Sequence, residues 1–366
     1  MTAAPPRFVT GSLMRHVVVM AGTGAIGLVA IFAVDLINLL YISMLGEQAI
    51  AAAVGFAGVV GFFMLSVFIG LLIGVTAVVS RTIGARRMDE ARALATSSLV
   101  LVAVIATVIA GLTMLFLEPI LHTLGARDRV LELAQRFLLI TLPSTVLLGV
   151  GMVSSALLRS VGDARRSMMV TLVPAILTAV LDPLFIFGLG LGLDGAAIVV
   201  VIARCVLLAV GLYGAWRVHH LLARFDRSRL KADARLLFTV AGPAVLTNLA
   251  TPVGAAFVTH SIAGFGASAV AGQATIERLT PVVFGLIYSL SGAVGPVFAQ
   301  NLGAKRYDRV RETLRASLVF MVVTVTLAWV LLALLQGPLV RMFSLDGVAA
   351  QMVHAFCSWL AGSFFF

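Results

Sequence analysis

Between Glu47 and Arg81 the chain carries no charged residue. Read as a helix over 49–79, this stretch exceeds the ~20 apolar residues that cross a bilayer. Runs near that spanning length recur along the whole chain. In hydrocarbon, backbone polar groups must be satisfied within the segment, and a long apolar helix does so. Composition points the same way: 61% of residues are hydrophobic, only 11% are charged, and mean hydropathy is +1.10. An ordinary soluble domain carries about 25% charged residues, so a water-soluble helical core is excluded. The expected fold is an all-α polytopic membrane protein.

Ten helices are predicted, at 16–43, 49–79, 92–117, 131–158, 167–190, 195–217, 236–260, 268–299, 313–336 and 350–366. The polar lead-in "MTAAPPRFVTGSLMRH" is followed by no small-residue cleavage site, so the first apolar run is read as a retained helix. The formal net charge is +10. Its placement explains it without nucleic acid. "SRTIGARRMDEAR" (80–92), "RSVGDARR" (159–166), the 217–235 stretch and "KRYDRVRETLR" (305–315) are basic, whereas "LGEQ", "GLGLD" and "HSIAGFGAS" carry no Lys or Arg. The positive-inside rule then puts the N-terminus in the cytoplasm of a plasma (inner) membrane. Cys205 and Cys357 both fall in apolar segments and read as small core residues. The six histidines are scattered, and no metal site is expected.

The chain repeats itself. "AGTGAIG" (21–27) parallels "AGPAVLT" (241–247), and Gly46 and Ala49 fall opposite Gly266 and Ala269. "TIGARRMDEAR" (82–92) parallels "NLGAKRYDRVR" (301–311), and Pro119 and Phe137 fall opposite Pro338 and Phe356. Parallel repeats are a common plan of secondary transporters. The division is an N-terminal lobe of six helices (1–216), a cytoplasmic linker (217–235) read as a solvated connector, and a C-terminal lobe of about four helices (236–366). Two six-helix bundles related by duplication are expected, the second incomplete; a complete second copy would add about 70 residues beyond Phe366.

A charge inside a spanning helix costs about 2.5–3.5 kcal/mol on insertion scales and persists where it meets a cavity, a partner or an ion. Asp35 is the only charge in "AIFAVDLINLL" (30–40), and Asp182 the only one in "TAVLDPLFIF" (178–187). Asp35 lies about 16 Å and Asp182 about 12 Å below the outer helix ends, at 1.5 Å per residue. The two carboxylates are therefore expected at similar depth in the outer half of the first bundle. Asn38 shares a face with Asp35 at i+3; Tyr41, at i+6, faces away. Arg204 lies at a depth where it could instead form a structural salt bridge with Asp182. Glu277 and Arg278 sit in the eighth predicted helix, which Pro281, Pro296 and several glycines make bendable. No nucleotide-binding glycine-rich loop is present, and no nucleophile motif or His cluster supports an enzyme.

With these residues in place, the chain resembles the multidrug and toxic compound extrusion (MATE) family of secondary transporters, most closely its DNA-damage-inducible branch. "VDLINLLYISMLGEQAIAA" (34–52), "SRTIGARRMDEA" (80–91), "LLRSVGDARR" (157–166), "LDPLFIFGLGLGLDGAA" (181–197) and "FAQNLGAKRYDRVR" (298–311) carry the resemblance. It implies two six-helix lobes around a central cavity and export of organic cations or amphipathic compounds against H⁺ or Na⁺. It places the family's N-lobe carboxylates at Asp35 and Asp182. Thr178 stands where the family often has Asn, Val200 where it often has Thr, and Thr23 replaces the first helix's proline. Fewer oxygen ligands at those positions favour H⁺ over Na⁺. A lipid-linked oligosaccharide flippase of the same superfamily is the alternative. The expected protein is a monomeric antiporter with no cofactor and no nucleic-acid partner. Asp35 and Asp182 carry the proton; Asn38, Tyr41, Thr178, Arg204, Glu277 and Arg278 are candidates for tuning the site or touching substrate.

Overall fold

The computed structural model describes residues 6–343 and 345–365. Among them are thirteen α-helices and no strand. They are α1 (Leu13–Ser43), α2 (Gln48–Gly84), α3 (Met88–Leu115), α4 (Leu117–Leu124), α5 (Asp128–Thr141), α6 (Thr145–Ser160) and α7 (Ala164–Pro183). Then follow α8 (Gly192–Leu212), α9 (Leu230–Ala263), α10 (Ala267–Val283), α11 (Gly285–Gly303), α12 (Tyr307–Met342) and α13 (Gly347–Ser358). Among the described residues eight helices are long and apolar enough to span a membrane, and nine if α10 and α11 form one bent span. Large apolar side chains such as Leu112, Ile176, Val180, Leu327 and Leu334 lie exposed on the bundle, as lipid-facing positions require.

Every predicted helix is present, with four differences. First, the basic stretches are helix ends: α2 runs to Gly84 and α3 restarts at Met88. Second, the fourth segment is α5 and α6 joined by a 3-10 turn at Leu142–Ser144, which places Pro143 where its missing N–H is harmless. Third, the eighth helix breaks by 51° at Phe284, three residues past Pro281. Fourth, the last segment is the twelve-residue α13 followed by a 3-10 turn at Leu360–Phe365. The 217–235 connector is also not merely solvated. Its Leu221 is fully buried, Ala223 exchanges two hydrogen bonds with Thr96 on α3, and Asp233 accepts from Ser97 at 2.6 Å. Its last residues, from Leu230, already belong to α9.

The duplication is visible in backbone geometry. Arg86 and Lys305 both hold positive φ, 61° and 57°. The α2 exit is closed by Ala85 N to Arg81 O and Arg87 N to Thr82 O; the α11 exit by Ala304 N to Gln300 O and Arg306 N to Asn301 O. The two exits pack reciprocally. A Cβ on Gly84 would overlap the Gln300 carbonyl, and one on Gly303 would overlap the Arg81 carbonyl. This is the isologous contact of a two-fold pair, built between two repeats of one chain. It binds the lobes at the end of the bundle that carries the basic stretches, here the basic end.

Candidate functional site

Two helices of the first repeat make the wall of the site. Ser12 caps α1, its side chain accepting from Arg15 N. Asp163 caps α7, accepting from Arg166 N at 3.1 Å. The Asp163 carboxylate also meets Arg166 Nη1 at 2.6 Å and His219 Nε2 at 2.8 Å. Burial opposes its ionisation, but the hydrogen bonds from His219 and Arg166 outweigh burial and hold it below the usual carboxylate range. The α7 start is thereby tied to the segment after α8. Gly27 lets α1 approach α7 closely, because a Cβ there would overlap the Thr171 hydroxyl.

Helical spacing then aligns two stripes. On α7, Ser167, Thr171, Thr178 and Asp182 lie on one face at intervals of four, seven and four. On α1, Gly24, Leu28, Ile31, Asp35 and Asn38 do the same. Toward the end opposite the basic stretches, parts of these stripes line, together with α2, α6 and α8, a cavity of about 490 Å³. Asp35, Asn38, Thr178 and Arg204 all line it, with Met152, Val200 and Phe62 among the apolar walls. Asp35 is open to this space and makes no hydrogen bond or ion pair with a described residue. The Asn38 Oδ1 is buried without a partner.

Of the eight residues singled out from sequence, the structure thus brings four together. Asp182 lies one turn beyond Thr178 on the same α7 face. It is 1% exposed, does not line the cavity, and neither carboxylate oxygen has a hydrogen-bond partner. The alternative, a structural Arg204–Asp182 bridge, is not formed. Arg204 donates instead to Thr141 O at 2.7 Å and Ser144 Oγ at 2.9 Å, because its azimuth on α8 faces the α5–α6 junction. Tyr41 packs edge-on against Phe187 at 6.1 Å between ring centroids. Glu277 and Arg278 are exposed on α10; Glu277 accepts from Gln273 at 3.1 Å, one turn back on its own helix. Cys357 is buried as expected, but Cys205 is exposed on α8. Among the described residues no cluster of His, Cys, Asp and Glu is arranged to hold a metal.

Sequence reading missed Arg159. It falls in a basic stretch taken for a loop, yet α6 continues to Ser160 and only residues 161–163 separate it from α7. Arg159 lines a second cavity, of about 250 Å³, nearer the basic end. The signal that could have found it is the α7 stripe, whose Ser167 the Arg159 guanidinium reaches.

A bundle of apolar helices built as two copies, with a carboxylate that has no partner among the described residues lining a cavity within it, has the plan of a membrane transporter of the duplicated type. The chain matches the MatE family model over residues 25–184 and 243–366, and it belongs to that family. It is 34% identical over 327 residues to a FAD transporter of Shewanella oneidensis, covering 88% of this chain and 72% of that one. It is 23% identical to the multidrug export protein MepA of Staphylococcus saprophyticus, covering 87% of this chain and 70% of that one. The crystal structure of a Vibrio cholerae MATE transporter, VcmN, in a mutant form, superposes with a TM-score of 0.92 at 25% identity, covering 96% of this chain and 80% of that one. The chain is therefore a multi-pass membrane protein of a family of small-molecule transporters, and not an enzyme.

Proposed function

We propose that the chain exports cationic or amphipathic small molecules, drugs or metabolites, in exchange for H⁺. The multidrug export name of the Staphylococcus relative supports the direction and breadth of transport. The observation that carries the coupling is Asp35, an unpartnered carboxylate facing a cavity large enough for cargo. Such a group in a membrane is costly while charged. Protonation removes that cost, and so biases the bundle between states that hydrate the cavity differently. Asp182 is the second proton carrier: its two oxygens are buried without a donor, which a proton would relieve. Asn38 and Thr178 tune the site from within the cavity. Sodium is the second choice of ion, since Val200 and the Thr178 hydroxyl, which donates to Pro174 O at 3.0 Å, leave few free oxygen ligands.

The basic end, on this reading, faces the cytoplasm, as the distribution of Lys and Arg requires. The flippase alternative gains no support, because a pyrophosphate needs several free cations: Arg204 is already bound to Thr141 and Ser144, and the second cavity offers a single arginine, Arg159. The test is efflux of ethidium from proteoliposomes driven by a pH gradient. Asp35→Asn is expected to reduce it by about tenfold or more, the scale of losing one charge's worth of coupling free energy. Full retention of pH-driven efflux would remove Asp35 from the mechanism.

A further inference from the structure

The second cavity is built from both repeats. Arg159 enters it from α6, Ser167 and Thr171 from α7, and Tyr288 and Ser291 from α11. Among the described residues Arg159 is the only charged one in its wall, with no carboxylate opposite. Its guanidinium is poorly satisfied. Nη1 reaches Ser155 Oγ and Ser167 Oγ only at 3.5 and 3.4 Å, and Nε is buried with no partner. Those two serines are occupied with each other, their Oγ atoms 2.9 Å apart. Across the cavity, the Tyr288 and Ser291 hydroxyls make no hydrogen bond to a described residue, whereas Ser289 has spent its own on Ala21 O. A buried charge whose donors go unused is expensive. An oxyanion is the group that a planar fork of N–H donors, in one cavity with the unbonded Tyr288 and Ser291 hydroxyls, accommodates.

We propose that this cavity binds the phosphate or carboxylate group of an amphipathic solute, with Arg159 as its anchor and Tyr288 and Ser291 as the closing donors. The volume of about 250 Å³ suits such a head group. The Asp35 cavity adjoins this one, with Ile31 and Thr171 in both walls, and is the space on that side for the remainder of the solute. The solute then meets cationic chemistry at one end and carboxylate chemistry at the other. The inference rests on the transport reading only in taking the Asp35 cavity as the cargo space.

Equilibrium binding, with no ion gradient, keeps a failure here separate from a failure of proton coupling. The probes are inorganic phosphate, flavin mononucleotide and riboflavin, the last two differing only in the phosphate. They are applied to the protein in nanodiscs of phosphatidylcholine, with binding followed by fluorescence anisotropy and thermal melting. Wild type is expected to bind the mononucleotide about tenfold or more tighter than riboflavin, with inorganic phosphate competing, as charge-assisted hydrogen bonds imply. Arg159→Gln abolishes that ratio; Arg159→Lys keeps part of it. Should Arg159→Gln fail to fold, Tyr288→Phe with Ser291→Ala must lower the ratio instead. Adding phosphatidylglycerol separates two sources of the anion. Loss of mononucleotide binding assigns the site to a lipid head group, and no change assigns it to a soluble cargo; both keep the anion site. Equal affinity for the two flavins, a ratio untouched by Arg159→Gln, or binding of none of the probes overturns the proposal.

Discussion

The cavity around Asp35 and the cavity around Arg159 share one helix wall, yet they differ in charge, in size and in what the second repeat contributes. The larger, of about 490 Å³, is lined by the first repeat alone and holds both Asp35 and Arg204. The smaller, of about 250 Å³, is roofed by α11 of the second repeat and holds only Arg159. In the first, the arginine is consumed by Thr141 and Ser144 and the carboxylate is left free. In the second, the guanidinium itself is left short of partners. A free carboxylate suits a proton, and a free guanidinium cation suits an anion. One polar stripe on α7, from Ser167 through Thr171 to Thr178, rises about 16 Å at 1.5 Å per residue and touches both cavities.

The strongest way to break this comparison is a double dissociation. Asp35→Asn is expected to remove pH-driven ethidium efflux by about tenfold or more, while Arg159→Gln removes discrimination between the two flavins. One variant abolishing both readouts would merge the cavities into a single site. A smaller effect is expected from Gly27→Val, which pushes α1 off Thr171 and widens the wall common to both. Overpacking of this kind costs about 1–3 kcal/mol, read as a lower melting temperature with both readouts impaired.

Asp182→Leu moves stability the other way. Its oxygens are buried and unpartnered, so an apolar replacement is expected to stabilise by about 1–3 kcal/mol, while transport falls. A melting temperature that drops instead would mean that Asp182 has a partner in the membrane. The smallest effect concerns Asp163, whose folded pKa lies below its ordinary value. Its contribution is full above about pH 4, the unfolded value, and is lost as pH falls through the folded pKa. Asp163→Asn keeps the cap but loses the charge of the bonds to Arg166 and His219, so it should lower stability by about 1 kcal/mol at neutral pH, and the gap between the two melting curves should close on acidification.

How much of this was legible depended on what each residue interrupts. Asp35 stood out because it breaks an apolar run, and its cavity mate Asn38 followed from helical spacing, whereas Thr178 was singled out only through the family resemblance. The duplication was legible because turns repeat their chemistry: Gly84 and Gly303 exist for one reciprocal contact. For Arg204 the sequence left a bridge to Asp182 open, and the structure pairs it with Thr141 and Ser144 instead, since depth along a helix leaves azimuth open until neighbours are known. Arg159 was hidden because its neighbours in sequence are basic, and a charge among charges carries no signal. The pinned 219–229 connector was hidden for a similar reason: a charged linker reads as solvated, and the packing of Leu221 and Ala223 depends on α3, more than a hundred residues away in sequence.

The central claim is that a proton, received at Asp35, drives export. The most direct measurement loads proteoliposomes with ethidium and imposes a pH gradient and a sodium gradient separately across the same vesicles. Efflux under the pH gradient alone, accompanied by proton uptake and lost in Asp35→Asn, is the predicted result. Efflux that follows the sodium gradient and ignores pH would contradict it.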